Sequence, residues 1–232
     1  MTKTCGGSSA VRIFFDFVVG GIAALFPVVD PIGSVPIFLV LTTGVPTSLR
    51  NRYALRIARN VVVLLVGTLL VGGSVLRFFG VSLAVVRIAG GIVVFHAAWR
   101  AMNSDPKLTD VDSQEAVQRV DEHKDIAFMP MTIPLLGGPG AIAVTLGLAA
   151  QAGGDLSVAT ALNLLAIATA IGLIGLVIFL SLRSSTLLLK VLGASGIQAM
   201  SRLLGLFVMA IGVQLILNGL ADWVTTLGWG NP

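Results

Sequence analysis

The sequence predicts an all-α polytopic membrane protein. Six transmembrane spans form two inverted three-span repeats, with Pro/Gly-rich broken helices in spans 1 and 4. Three observations predict this. Apolar residues come in blocks at or beyond the ~18 residues that a helix needs to cross a bilayer. Prolines recur at matched spacing near the start of each half, and a second pattern recurs near the end of each half. Composition agrees: 56% of the 232 residues are hydrophobic and 11% charged, against roughly a quarter charged in an ordinary soluble domain. Mean hydropathy is +0.97. These values exclude a disordered chain, a collagen, a coiled coil and a disulfide scaffold.

The blocks are Val11–Thr43, Ile57–Phe79, Val81–Met102, Ile126–Gln151, Val158–Leu182 and Gly196–Ala221. At ~1.5 Å per residue, blocks two to six each reach across the ~30 Å of hydrocarbon. The first is too long for one straight crossing, so it is expected to be broken, bent or partly outside the core. The chain therefore divides into an N-terminal tail (1–10), a first three-span repeat (11–102), a polar linker (103–125), a second three-span repeat (126–222) and a C-terminal tail (223–232). The apolar stretch from Val11 carries Arg12 and Asp16 and runs into prolines, so it does not read as a cleaved signal peptide. Asp16 is expected to pair with Arg12 one helical turn away.

A net charge of +4 and a pI near 9.8 would suit nucleic acid in a soluble protein. In a chain this apolar the basic residues read as loop charges that set orientation. The links after spans one, three and five carry Arg50, Arg52, Arg56, Arg59, Arg100, Lys107, Arg119, Lys124, Arg183 and Lys190; the other side has Lys3, Arg12 and Arg77. The positive-inside rule puts both termini outside the cytoplasm and the 103–125 linker inside it. Cys5 is the single cysteine and can close neither an internal disulfide nor a metal site.

The repeat rests on two matches. Pro27, Pro31 and Pro36 have the same spacing as Pro130, Pro134 and Pro139, and Arg87, Gly90 and Asn103 are matched by Arg202, Gly205 and Asn218. An odd number of spans per half inverts the second half, the architecture of many secondary transporters, whose sites lie near the midplane at discontinuous helices. Proline removes a backbone donor and pushes its predecessor out of helical conformation, so each proline window reads as a helix interrupted inside the membrane. A pair of kinked helices with no ligand is the other reading.

Asp30 is the most informative residue. It reads as a half-helix cap with Pro31 in the first turn, as the partner of a substrate ammonium or a coupling ion, or as both. The second window, Gly137, Gly138 and Gly140 around Pro139, has no acid; backbone N–H groups at a half-helix start suit a carboxylate. Opposed, the windows would complement a zwitterion, with Ser34, Thr42, Thr132 and Thr145 adding hydroxyls and Ala141 and Ala143 giving small walls. Arg87 and Arg202 lie near helix N-termini, where a cation opposes the dipole. Each either snorkels to lipid phosphate or braces the repeat at a helix break. Asn103 and Asn218 read as C-terminal caps, and His96 as a packed or interfacial histidine.

FPVVDPIGSVPIFLVLT (26–42) and MPMTIPLLGGPGAIAVTLGLAA (129–150) resemble the paired signatures of the MarC family of integral membrane proteins. VRIAGGIVVF (86–95) and MSRLLGLFVMAIGVQLILNGL (200–220) resemble that family's third and sixth spans. His96 and Trp99 depart from the expected aliphatic pattern. The resemblance implies six spans, a bacterial or archaeal cytoplasmic membrane and translocation of a solute, since the family includes archaeal carriers of small neutral amino acids. It does not imply drug efflux.

The expected function is thus a secondary transporter of a small neutral solute, in particular a small neutral amino acid. It would have no cofactor, a proton or sodium ion as the open coupling choice, and the lipid bilayer and a small molecule as partners. Nucleic acid is not expected, and a homo-oligomer is left open. The alternative is a non-transporting membrane structural or regulatory protein. ATP as direct driver is not expected, since no Walker A sequence is present, and an enzyme is not expected, since no His/Glu metal motif, Ser–His pair or Asp–Asp pair lies in facing spans.

Overall fold

The computed structural model describes residues 6–103, 126–152 and 157–226. The 103–125 linker lies, after its first residue, outside the described residues, as do 1–5 and 227–232 of the two tails. Among the described residues every regular element is helical: α1 (Gly6–Val29), α2 (Ser34–Leu41), α3 (Thr47–Phe78), α4 (Leu83–Asn103), a π-helical turn (Met131–Leu136), α5 (Pro139–Ala152), α6 (Val158–Arg183) and α7 (Ser185–Thr226).

Boundaries follow from local chemistry. Ser82 starts α4 by accepting from the Val85 N–H at 3.4 Å, and Ser157 starts α6 by accepting from Thr160 N–H at 3.1 Å, each satisfying a donor that the first turn leaves open. α3 stops at Gly80, whose φ of 67° only glycine adopts without strain. There Val81 N–H returns to the Leu76 carbonyl at 2.9 Å, which closes the end of the helix. At about 48 Å, α3 exceeds the hydrocarbon thickness, so its arginine-bearing first turns extend beyond it. The segment after Arg183, expected as a loop, is helical from Ser185. It contains no proline, and the turn is made at Gly193 (φ 66°) inside α7.

Among the described residues four helices are long and apolar enough to cross a membrane: Val11–Val29, Thr47–Leu76, Val158–Arg183 and Ser195–Thr226. The third and fourth expected blocks give the shorter apolar helices Leu83–Trp99 and Pro139–Ala152. The fourth is shortened because its prolines divide it. α5 is buried on every face, through Ala143, Val144, Thr145, Leu146 and Leu148, and packs on α1, α3, α4 and α6, so the residues after the second break occupy the centre of the bundle. α6 offers the stripe Ile167, Ile171, Ile174, Ile178 and Leu182, all buried, to the core beside α1 and α3.

α4 and α7 run antiparallel in close contact. Gly205, Gly212 and Gly219 recur every seven residues along α7, and each meets α4. A Cβ on Gly212 would stand 2.8 Å from Phe95 N and 2.9 Å from the Gly91 carbonyl oxygen. One on Gly219 would stand 2.7 Å from the Ala84 oxygen, and one on Gly205 3.0 Å from Met102 Cγ. Small residues let helix backbones approach in a membrane, where dispersion and close packing replace the hydrophobic effect.

Candidate functional site at the first helix break

The two proline windows break at equivalent positions. Pro27 sits inside α1 without ending it; the chain leaves helical geometry at Asp30 (φ 43°) and at Ile133 (φ −124°, ψ 125°). Each of these residues precedes the middle proline of its triplet, where the proline ring disfavours the helical region.

At the first break the side chain takes over the backbone's bonding. Asp30 N–H still donates to Phe26 O at 3.1 Å, and Asp30 Oδ1 accepts from Gly33 N–H at 3.0 Å. That bond caps the turn which begins at Pro31. Ser34 N–H donates to Asp30 O at 3.2 Å, and the Ser34 hydroxyl to Pro31 O at 2.8 Å. Ser201, arriving from α7, places its hydroxyl on the same carboxylate as a hydrogen-bond partner. Gly33 has no room for a side chain: a Cβ there would enter the space of Asp30 Oδ2 and Ser201 Oγ. A carboxylate offers about four lone-pair positions, so with these two donors in place Asp30 keeps capacity for an ammonium, a cation or a proton.

The second break satisfies itself through its backbone. Ile133 N–H donates to Phe128 O at 3.0 Å, Leu135 N–H to Pro130 O at 3.3 Å and Gly137 N–H to Thr132 O at 2.8 Å. The peptide bonds before Pro130 and Pro134 are cis. Gly138 lies against the Pro134 carbonyl, while Pro139 opens α5. The two windows adjoin where Gly140 meets Val28.

The predicted hydroxyls are buried and engaged with carbonyls of their own segments. Thr42 donates to Phe38 O at 2.7 Å, Thr132 to Ala127 O at 2.6 Å and Thr145 to Ala141 O at 2.7 Å. Arg87, on the first turns of α4, is paired with Asp222 of α7, and its side chain is 12% exposed. Arg202 is exposed on α7, one residue beyond Ser201. Asn103 ends α4 and donates to Trp99 O at 2.9 Å, as a C-terminal cap does. Asn218 is no cap, because α7 continues past it to Thr226; it accepts from Gln214 Nε2 at 2.8 Å. Arg12 and Asp16 are both exposed on α1 and do not pair. His96 is on the exposed face of α4. Among the described residues no group of three or more His, Cys, Asp or Glu side chains gathers to hold a metal.

Sequence reasoning missed Ser201, Asp222 and Gln214. Asp222 had a signal: only it and Asp155 are acidic after residue 125, and a cation near the start of α4 asked for a counter-charge. Ser201 had none.

The sequence profile of the MarC family of integral membrane proteins matches residues 15–224. The chain belongs to the MarC family. It is 31% identical over 211 residues to the inner membrane protein MarC of Escherichia coli (strain K12) and, to the same extent, to that of Shigella flexneri. Each match covers 89% of this chain and 95% of the relative. No solved structure gives a significant match. This MarC-family protein is accordingly a multi-pass protein of the inner membrane, and the candidate span Val11–Val29 ends at the Asp30 break.

Proposed function

We propose that this MarC-family protein is a secondary transporter of a small neutral solute, in particular a small neutral amino acid, working by alternating access at its helix breaks. The observation that carries the reading is the Asp30 break: a carboxylate held by Gly33 and Ser201 at an interruption of a membrane helix. Ionisable groups in membrane helices are costly and mark solute and ion pathways, and secondary transporters bind at discontinuous helices. In this reading α1 with α2, and the π-helical turn with α5, are the first spans of two inverted repeats. α3 and α4 correspond to α6 and α7, giving six spans with both termini outside the cytoplasm. The breaks at Asp30 and Ile133, each before a middle proline, support that correspondence.

Asp30 meets the ammonium or the coupling ion, and the amides opening α5 at Gly140 face the carboxylate. The test is uptake of labelled alanine, glycine and threonine into proteoliposomes, with and without inward proton or sodium gradients, beside Asp30→Asn. Saturable uptake lost in the variant is the expected result, and the gradient that drives it identifies the ion. Folded protein that takes up none of the three, and is not thermally stabilised by them, overturns the amino-acid reading and leaves a structural or regulatory membrane protein.

A further inference from the structure

Helix α7 has a second face. Opposite α1, the stripe Phe207, Ala210, Ile211 and Gln214 lines an open groove of about 340 Å³ whose other wall is Ala23 and Pro27. That is the scale of a small-solute pocket, which begins at roughly 300 Å³. The walls are apolar, but two of the lining residues carry a polar group with bonding capacity left. Pro27 has no N–H to return to the carbonyl of Ala23, so that oxygen lacks its helical donor. Gln214, with Nε2 bonded to Asn218 Oδ1 at 2.8 Å, keeps Oε1 and a second N–H for bonding.

The order of residues along the two helices fixes where the crevice leads. Ala23 and Gln214 share its lining, and so do Pro27 and Phe207. Further along, the α1 chain reaches Asp30 and Gly33, and α7, running the other way, reaches Ser201, where the carboxylate and the hydroxyl meet. Asp30 lies about 10 Å along the chain from Ala23.

We propose that this crevice is the route by which solute reaches the Asp30–Ser201 pair from the non-cytoplasmic side, and that Gln214 and the Ala23 carbonyl are its outer polar station. It takes a small zwitterion, whose ammonium bonds the Ala23 oxygen and Gln214 Oε1 and then passes to Asp30. The inference rests on the transport reading, and the experiment separates the two.

Cys5 is replaced by serine, and Ala210→Cys, Ala23→Cys and, as a lipid-facing control on α6, Leu176→Cys are reconstituted singly. Each is treated with a membrane-impermeant methanethiosulfonate reagent, and thermal unfolding confirms that each is folded. Labelling is expected at positions 210 and 23 and not at 176, slowed several-fold by saturating alanine, glycine or threonine. Gln214→Leu is expected to raise KM about five-fold, the worth of one neutral hydrogen bond, with kcat within about two-fold. Gln214→Asn is expected to recover part of the loss. Positions 210 and 23 as inert as 176, the result of an acyl chain filling the crevice, overturn the proposal, while Asp30-dependent uptake by the same preparation leaves the transport reading standing. Labelling that none of the three amino acids slows, or spontaneous disulfide dimers of Ala210→Cys marking contact with a second copy, overturns it too.

Discussion

The two helix breaks answer the same local instruction in different ways. In both, the residue before the middle proline leaves the helix, at Asp30 in one and Ile133 in the other. At Ile133 the side chain has no polar atom, and the freed groups pair within the backbone, Ile133 with Phe128 and Gly137 with Thr132. At Asp30 the side chain enters the bonding, accepting from Gly33 and bringing in Ser201 from α7. The proline sets where each helix stops. The residue before it decides whether the gap is merely closed or also carries charge.

The largest expected effect tests that division. Asp30→Ala abolishes uptake in proteoliposomes, while Ile133→Ala retains it within a few-fold. Asp30→Asn also loses uptake yet unfolds at nearly the wild-type temperature, because asparagine caps about as well as aspartate. Equal loss from both alanine variants would erase the distinction between the breaks.

Next come the glycines. Gly33→Ala puts a methyl into the space of Asp30 Oδ2 and Ser201 Oγ, and the overpacking costs about 1–3 kcal/mol, read as a lower unfolding temperature in detergent. At the second window, Gly140→Ala meets the methyl carbons Val94 Cγ2 at 2.9 Å and Val28 Cγ1 at 3.3 Å. Those tips can yield, so its loss of unfolding temperature is expected to be the smaller of the two. The smallest effect belongs to Ser201→Ala. It removes one hydrogen bond from the carboxylate, about 1 kcal/mol, and is expected to shift the KM of uptake a few-fold while leaving unfolding nearly unchanged.

Much of this contrast was legible in the residues. Pro31 and Pro134 located the breaks and Asp30 read as a cap, whereas of the six apolar blocks expected to span, four give helices long enough among the described residues and two give shorter ones. The partners were not legible. Ser201 meets Asp30, and Asp222 meets Arg87, across helices far apart in sequence, and local pattern carries no record of such distances. The threonines were legible as polar groups but not in direction: Thr42, Thr132 and Thr145 donate to carbonyls of their own segments. A hydroxyl in an apolar interior takes the nearest acceptor. The segment at 185–192 falls between the fifth and sixth apolar blocks and reads as a link, although nothing in it stops a helix before Gly193.

The seven-residue glycine spacing on α7 has a mechanical consequence. Two helices whose backbones touch at Gly91, Gly205, Gly212 and Gly219 cannot slide past one another without first being prised apart, and the Arg87–Asp222 pair pins one end. α4 and α7 therefore behave as a single stiff beam. Any stroke that opened and closed the bundle would have to be taken up along the beam's other edge, where α7 faces α1 across an open groove rather than across glycine.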